Sequence, residues 1–350
     1  TTDWDYPLVD EYANMPQKGS VKAMKVDAET GEPVPAAGIE FDLVAASDIK
    51  TGDGVVHVPA GEIAAHIVTA ADGTATAEDL YLGSYRIVET LAPEGYVLNG
   101  EPVDVTLSYA GQEVEAAYAE SEFGDVPQKG IIEAHKVDAE SGLPVAVPGI
   151  EFRVTAAADV VTPDGTVRAH EGDVVAEVVT GDDGKAETPE LYLGRYEVEE
   201  TLAPDGYVLN GEPVDVTLSY AGQEVAVTRA GAVVEDAPQK GVIEIVKTDE
   251  ADGRAVPGAV YEVTAAADIV TPDGTVHASS GDVVATVTTG DDGKAETDEL
   301  YLGDYNVRET ATPDGWAIDH ETHMVELSYA GQEVKVTRTV LETADAPTTF

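Results

Sequence analysis

The sequence contains 350 residues, of which 68 are acidic and 19 are basic, so its formal net charge is −49. This charge argues against nucleic acid or anionic membrane as a partner, because binding to either needs a basic patch. No stretch approaches the ~20 consecutive apolar residues of a membrane-spanning helix, which argues against membrane insertion. Cysteine is absent, which excludes disulfides, thiolate zinc sites and cysteine nucleophiles. No signal-peptide pattern is visible, so we expect a mature chain or an excised fragment.

An internal repeat divides the chain. The segment LSYAGQEV recurs from positions 107, 218 and 327, and PQKG recurs from 16, 127 and 238. We therefore predict three tandem domains, each of a common domain size, at 16–126, 127–237 and 238–350. Residues 1–15 align with the ends of the repeats, so we interpret them as the leftover final strand of an upstream domain or as an N-terminal extension.

Each repeat opens with a short predicted strand that ends in a lysine. The three versions read SVKAMKVD, IIEAHKVD and VIEIVKTD. Alternate side chains of a strand point to the same face, so Lys25 shares a face with Val21 and Ala23. Lys136 and Lys247 occupy the equivalent apolar faces, whereas Lys22 lies on the opposite face and is predicted to be an ordinary surface residue.

The middle of each repeat consists of short β-rich runs separated by Gly, Pro, Asp and Asn turns. This pattern predicts an all-β sandwich, and no segment keeps a helical period for more than about two turns. The linkers around PQKG are short and contain proline, which favours semi-rigid connections. We therefore expect the three domains to form a rod.

A glutamate-bearing strand and its following loop recur as YRIVETLAPEGY, YEVEETLAPDGY and YNVRETATPDGW. Strand alternation places Glu89 on the same face as Tyr85 and Ile87. A carboxylate that points into a core costs several kcal/mol unless it is protonated or paired. Three equivalent buried carboxylates therefore indicate a shared function, and the residues are Glu89, Glu200 and Glu309.

The third recurring residue is an aspartate before the final proline of each repeat: Asp125, Asp236 and Asp345. In a sandwich the first and last strands can lie side by side, which would bring each lysine to its aspartate. Burial lowers a lysine pKa and raises carboxyl pKa values, so all three groups would be neutral. A neutral amine is a nucleophile, and a protonated glutamate can polarise the aspartate and transfer protons. We predict a Lys–Asp isopeptide bond in each domain, formed once, without a cofactor.

These motifs resemble those of Cna B-type (SpaA-like) domains of Gram-positive surface adhesins and pilins. The resemblance rests on the Lys-Val-Asp opening, the YxVxET-x-APxGY segment and the closing Asp-x-Pro. It implies immunoglobulin-like or prealbumin-like sandwiches, an extracellular stalk or pilus shaft, and neighbouring domains or subunits as partners. It also implies that the glutamates are catalytic, that the lysines bond to the aspartates, and that Asn14 is an acceptor for an upstream domain. Apart from this single-turnover reaction, we expect no enzyme activity.

Two alternatives remain at this level. The first is an extracellular module that binds carbohydrate or host matrix through loops of one repeat, with Trp316 and the HETH segment as candidates. The second is an accessory domain of an enzyme that lies elsewhere in the polypeptide.

His320 and His323 in HETH lack the spacing of a zincin motif, so we predict no metal site. Repeated tyrosines in LYLG are interpreted as core residues, and they are Tyr81, Tyr192 and Tyr301.

Overall fold

The computed structural model describes residues 14–348, and all regular secondary structure within this range is β-strand. Accordingly, no helix in this part of the chain is long and apolar enough to cross a membrane. The strands group into three successive domains of matching topology, which confirms the predicted all-β class with three tandem sandwiches. Residues 1–13, on which most of the N-terminal prediction falls, lie outside the described residues.

Domain 1 contains ten strands. They are β1 (Lys18–Asp27), β2 (Glu40–Ala45), β3 (Ile49–Lys50), β4 (Val56–Val58), β5 (Ile63–Val68), β6 (Thr74–Tyr81), β7 (Gly83–Leu91), β8 (Tyr96–Val97), β9 (Val103–Leu107) and β10 (Ala116–Pro127).

Domains 2 and 3 repeat this order, with the counterpart of β6 divided into two short strands and, in domain 3, an isolated Trp316–Pro347 bridge in place of the counterpart of β8. Domain 2 contains β11 (Lys129–Asp138), β12 (Glu151–Ala156), β13 (Val160–Val161), β14 (Val167–Ala169), β15 (Val174–Val179), β16 (Lys185–Glu187), β17 (Leu191–Tyr192), β18 (Gly194–Leu202), β19 (Tyr207–Val208), β20 (Val214–Leu218) and β21 (Val227–Pro238). Domain 3 contains β22 (Lys240–Asp249), β23 (Val260–Ala265), β24 (Ile269–Val270), β25 (Val276–Ala278), β26 (Val283–Thr288), β27 (Lys294–Glu296), β28 (Leu300–Tyr301), β29 (Gly303–Ala311), β30 (Thr322–Leu327) and β31 (Val336–Asp345).

Two four-stranded sheets form the sandwich of domain 1. One has the order β6-β1-β10-β8 and the other has the order β5-β2-β7-β9. Alternate residues of β1 and β2 are buried, as the period of a strand facing a core requires. Side chains from both sheets therefore meet in one apolar layer, which includes Val21, Phe41, Leu43, Tyr85 and Ile87.

The first and last strands of each domain are hydrogen-bonded neighbours, as the sequence predicted. They run parallel, in the pairs β1–β10, β11–β21 and β22–β31. In domain 1, Phe123 lies opposite Lys25, and Asp125 lies opposite Asp27. Lys25 and Asp125 are therefore diagonal neighbours on one face of the sheet, within reach of a long side chain.

The domain linkers are shorter than the sequence suggested. Strand β10 ends at Pro127 and β11 begins at Lys129, so Gln128 alone separates them. Gln128 itself is buried, because its side chain binds the backbone at Ala221 and Gly222 of domain 2. Its backbone N–H also donates to the carbonyl of Gly95 in domain 1. The linker is thus fixed to both domains.

Candidate functional site

The structure brings the three predicted residues of each domain together between the two sheets. In domain 1, Lys25 and Asp125 project from β1 and β10, and Glu89 projects from β7 of the opposite sheet. Their side chains are 0%, 0% and 1% exposed. The same arrangement recurs in the other domains with Lys136, Glu200 and Asp236, and with Lys247, Glu309 and Asp345.

The lysine nitrogen contacts both carboxyl groups. Lys25 Nζ lies 2.7 Å from Glu89 Oε2 and 2.7 Å from Asp125 Oδ2. In domain 2 the corresponding distances from Lys136 Nζ are 2.5 Å to Glu200 Oε2 and 2.7 Å to Asp236 Oδ1. Each amine therefore contacts the aspartate carboxyl group and a second carboxyl group that can exchange protons with it.

The contact between lysine and aspartate differs from an ordinary hydrogen-bonded ion pair. Asp125 Oδ2 and Asp345 Oδ1, the carboxylate atoms nearest the lysines, have no partner in hydrogen-bond geometry. A buried polar atom without such a partner is uncommon and calls for an explanation. In domains 1 and 3 the amine therefore lies against the carboxyl group without the alignment that stabilises an ion pair.

Each glutamate also has one buried oxygen without a hydrogen-bond partner: Glu89 Oε1, Glu200 Oε1 and Glu309 Oε1. Burial raises the pKa of Glu89 and of Glu200 to about 8. The adjacent lysine opposes this shift, and the adjacent aspartate adds to it. Both side chains are therefore protonated at neutral pH. A protonated carboxyl group is a hydrogen-bond donor, which the sequence-based mechanism requires.

A backbone group that the sequence did not predict completes the site. The N–H of Asn99 donates to Asp125 Oδ1 at 3.1 Å, and the N–H of Asn210 donates to Asp236 Oδ1 at 2.9 Å. A backbone donor aimed at a carboxyl oxygen stabilises the negative charge that develops when that carbon is attacked. The Asn-Gly that follows the PEGY-type loop in the first two repeats was the available signal, but it indicates a turn and not a contact.

Domain 3 has the same three side chains in a different environment. Lys247 Nζ lies 3.3 Å from Glu309 Oε2, which also accepts a 2.8 Å hydrogen bond from the backbone N–H of Asp319. Thr312 Oγ1 donates to Asp345 Oδ2 at 2.9 Å. The loop amide therefore binds the glutamate in this domain, whereas in the other two domains it binds the aspartate.

The apolar wall beside the lysine also changes in domain 3. In domain 1, Phe41 and Phe123 pack with ring centroids 4.8 Å apart. Their counterparts in domain 3 are Tyr261 and Thr343, whose hydroxyl oxygens lie 2.7 Å apart. Burial lowers the pKa of Lys247, but Asp345 and Tyr261 raise it by more, so its pKa lies above the ordinary value. Lys247 is therefore more firmly protonated than a free lysine.

A second buried carboxylate follows each lysine and was missed in the sequence. Asp27 Oδ1 accepts hydrogen bonds from the backbone of Glu29 and Thr30 at 2.7 and 3.0 Å, and Asp27 Oδ2 accepts one from Tyr96 at 2.9 Å. Asp138 and Tyr207 repeat the side-chain contact in domain 2. This aspartate stabilises the turn after the first strand, which is the physical reason for the Asp of Lys-Val-Asp.

The candidates for ligand binding lie in domain 3. Trp316 pairs with Pro347 in an isolated bridge at the end of the domain. Single ligand atoms of Asp319, Glu321 and His323 lie within 4.8 Å of one another, and His323 Nε2 is 3.0 Å from Asp319 Oδ2. His320 is exposed. Nothing in this geometry tests the prediction that no metal binds, which stays a prediction.

Two further predicted roles concern residues near the domain ends. Asn14 is exposed at the edge of the described residues, and its role as an acceptor stays a prediction. Tyr81, Tyr192 and Tyr301 pack against the cores, as predicted, but they are only partly buried. The hydroxyls of Tyr192 and Tyr301 donate to Glu29 and Glu140 of the preceding domain, so these tyrosines also contribute to the junctions.

Three sandwiches, each with its first and last strands paired in parallel over a buried Lys–Glu–Asp cluster, define a tandem array of prealbumin-like domains. The chain belongs to the SpaA family of prealbumin-like fold domains, whose family model matches residues 19–121, 130–231 and 241–340. The resemblance identified in the sequence is confirmed. No curated protein matches the chain.

Several solved structures are similar to this chain. The Bacillus anthracis TIE protein shares 24% identity over 93% of this chain, with a TM-score of 0.55, which supports the fold. The chain spans about half of that protein, since the match covers 50% of it. The major pilin subunit BcpA of Bacillus cereus shares 17% identity over 94% of this chain and 99% of its own, with a TM-score of 0.32. The major pilin SpaD of Corynebacterium diphtheriae shares 16% identity over 97% of this chain and 100% of its own, with a TM-score of 0.30.

Proposed function

We propose that the chain is a structural stalk or pilus-shaft segment of an extracellular cell-surface adhesin. Each domain is crosslinked by an intramolecular Lys–Asp isopeptide bond that a buried glutamate promotes. The observation that carries this proposal is the threefold recurrence of a fully buried lysine in contact with an aspartate and a glutamate. Its partners would be the neighbouring domains or subunits of the same fibre, as family membership suggests.

The reaction joins the lysine Nζ to the aspartate Cγ and releases one water. In domain 1, protonated Glu89 gives its proton to the Asp125 carboxylate, which polarises the carbonyl carbon. The Glu89 carboxylate then takes a proton from the Lys25 ammonium at 2.7 Å, which leaves a neutral amine nucleophile. The amine attacks Cγ, and Glu89 passes a proton to the departing hydroxyl while it accepts one from the new amide nitrogen. Glu89 ends protonated, as it began.

Two features of the site favour this reaction over a stable ion pair. Burial keeps the glutamate protonated near neutral pH, with a pKa of about 8 in domains 1 and 2. The backbone N–H of Asn99 stabilises the oxyanion on Asp125 in the tetrahedral intermediate. The site is consumed when the bond forms, so each domain turns over once and requires no cofactor.

Intact mass spectrometry of the denatured chain tests the proposal. A mass short by three waters is the expected result, because denaturation removes non-covalent contacts and preserves the amides. Lys136→Met and Glu200→Gln, which keep most of the buried volume, should each restore one water. Lys22→Ala is the matched control, since Lys22 lies on the other face of β1 and pairs with Glu120 at 3.0 Å. A measured mass of the natural chain equal to the mass calculated from its sequence would show that no water was lost and would overturn the crosslink.

A further inference from the structure

The two domain junctions share two sets of contacts, to which the first junction adds Arg168 on Asp27 and Glu29. At the first junction, Glu29 of domain 1 accepts hydrogen bonds from Lys129 Nζ at 2.8 Å and from Tyr192 OH at 2.7 Å, both in domain 2. At the second junction, Glu140 accepts from Lys240 and Tyr301 at 2.7 and 2.6 Å. The carboxylate lies in the turn after the first strand of a domain, and this end of the domain is here called its distal end. The next domain supplies a lysine and a tyrosine.

A glutamine from the following domain makes the second shared contact. Gln223 Oε1 accepts from the backbone N–H of Ala92 at 2.9 Å, and the Gln223 carbonyl accepts from the N–H of Leu98 at 3.0 Å. At the second junction, Gln332 binds Ala203 and Leu209 at 2.9 and 3.0 Å in the same way. The loop of LSYAGQEV therefore attaches to the loop that follows the glutamate strand of the domain before it.

Domain 1 carries the receiving half of this interface on its own N-terminal side. Lys18 Nζ lies 4.6 Å from the ring centroid of Tyr81, as Lys240 lies from Tyr301. His57 stacks on the Tyr81 ring with centroids 3.8 Å apart. His277 stacks on Tyr301 at 3.4 Å in the domain that receives Glu140. The lysine–tyrosine–histidine stack is thus present in domain 1, where Lys18 Nζ also donates to Asp79 Oδ2 at 2.8 Å.

The glutamine loop of domain 1 is also held in place. Gln17 Oε1 accepts from the N–H of Ala110 at 2.9 Å, and Gln17 Nε2 donates to the carbonyl of Gly111 at 3.2 Å. Gln128 and Gln239 hold the corresponding loops of domains 2 and 3 with the same bonds. In domain 1, however, Tyr109 is 62% exposed, whereas its counterparts at the two junctions, Tyr220 and Tyr329, are half-buried.

We propose that this surface, here called the leading face, docks the distal end of a further SpaA-type domain joined directly ahead of Pro16. The leading face comprises Gln17, Lys18, His57, Tyr81, Tyr109 and Gln112. The docked domain carries a glutamate in the position of Glu29, which binds Lys18 and Tyr81. Gln112 binds the backbone of its loop after the glutamate strand, as Gln223 does at the first junction.

The nature of the occupant follows from the linker and from charge. Asn14 precedes Pro16 as Asp125 precedes Pro127, and Gln17 makes the contacts of Gln128, so the tandem connection of the natural junctions is retained.

A second copy of this chain fits poorly through its domain 3, because the equivalent turn of that domain has different residues. There Ala251 replaces the glutamate, and Asp252 replaces the hydroxyl residue Thr30. At the first junction that hydroxyl donates to Asp164, and domain 1 has Asp53 at the equivalent position. Asp252 would therefore place one carboxylate against another, which is unfavourable.

The absence of cysteine from the chain makes disulfide trapping a direct test. A four-domain chain is prepared in which a further copy of residues 16–126 replaces residues 1–15, with Thr30→Cys in the added copy and Asp53→Cys in domain 1. The positive control is the natural chain with Thr30→Cys and Asp164→Cys, whose native side-chain oxygens lie 3.0 Å apart. A second four-domain chain carries an added copy of domain 3 with Asp252→Cys in place of the domain 1 copy.

Docking predicts that the new pair oxidises within about threefold of the positive control, because both pairs have a similar effective concentration. Gln112→Ala should slow the new pair by about tenfold, which corresponds to about 1.4 kcal/mol, and Gln223→Ala should do the same to the control pair. The chain with the added domain 3 copy should oxidise slowly.

Three outcomes would overturn the proposal. They are oxidation of the positive control without oxidation of the new pair, equally fast oxidation with the domain 3 copy, and concentration-dependent association of the natural chain in sedimentation. None of these outcomes depends on whether isopeptide bonds form.

Discussion

Replacing Glu200 with glutamine separates proton transfer from packing in domain 2. The Glu200 side chain is fully buried, and glutamine has nearly the same volume, so the change leaves no cavity. Glutamine can still contact Lys136 and Asp236, but it cannot accept a proton from the ammonium. We expect Glu200→Gln to fold with a buried Lys136–Asp236 ion pair in place of the amide, and to lack two waters instead of three.

The cost to domain 2 follows from the length of the loop that the bond closes. Lys136 and Asp236 are 100 positions apart in the sequence. By analogy with a disulfide, closing a loop of that length removes unfolded-chain entropy equivalent to about 4.7 kcal/mol. A domain has a net stability of about 5–15 kcal/mol, so this loss is a large share of the total. With a urea m value of about 1–3 kcal/mol/M, the midpoint of domain 2 should fall by about 2–5 M.

The assay must report on domain 2 separately. The sequence contains two tryptophans, Trp4 and Trp316, and neither lies in residues 127–237, so intrinsic tryptophan fluorescence is unsuitable. Pulse proteolysis in increasing urea, with fragments assigned by mass, gives a midpoint for each domain. Glu199→Gln is the matched control, because Glu199 is 41% exposed and its ion pair is weak. Glu199 Oε2 lies 3.6 Å from Arg153 Nη1, beyond hydrogen-bond distance. A surface change of this kind is worth about 0.5 kcal/mol or less.

The reasoning would be refuted if Glu200→Gln still lacked three waters. It would equally fail if its domain 2 midpoint matched that of Glu199→Gln while the mass showed one bond missing. The first result would show that the glutamate is not needed for bond formation. The second would show that the loop closure contributes little to stability.

Further predictions concern pH, the leaving group and domain 3. The pKa of Glu89 and Glu200 is about 8, so these donors are protonated below that pH and ionised above it. Bond formation during refolding, followed by intact mass, should therefore slow as pH rises through 8. A rate that kept rising would contradict the mechanism. Asp125→Asn should give the same final mass as the natural chain, because ammonia leaves instead of water and the amide product is identical. A mass that is higher by one ammonia would contradict this. Tyr261→Phe with Thr343→Val should speed the third bond, measured by the same time course, because they remove hydroxyls beside a lysine whose pKa is raised.

Much of the site could be predicted from the sequence because its residues lie on regular strands. A period of two placed Lys25 and Glu89 on apolar faces, and the threefold repeat made their common register visible. The parallel pairing of first and last strands then brought Asp125 to Lys25.

The remaining contacts come from loops and junctions, where no periodicity constrains a side chain. The N–H of Asn99 on Asp125 belongs to this group, as does the contact of Gln223 with the backbone of Ala92. The difference in domain 3 was visible only in part. The sequence shows Thr343 beside Asp345, but the 2.7 Å contact with Tyr261 depends on the opposite sheet.

The position of the proposed crosslink would determine how a domain carries tension. Strand β1 enters the domain at Lys18 and β10 leaves it at Pro127, and the two strands are parallel neighbours. Without a covalent bond, pulling on the two ends would shear the β1–β10 ladder and then unfold the chain between the strands. Lys25 lies near the end of β1 and Asp125 near the end of β10, so an amide between them carries the load from one strand to the next domain. The chain between Lys25 and Asp125 then bears no tension, and a crosslinked domain should resist extension beyond the few residues of β1 that precede Lys25.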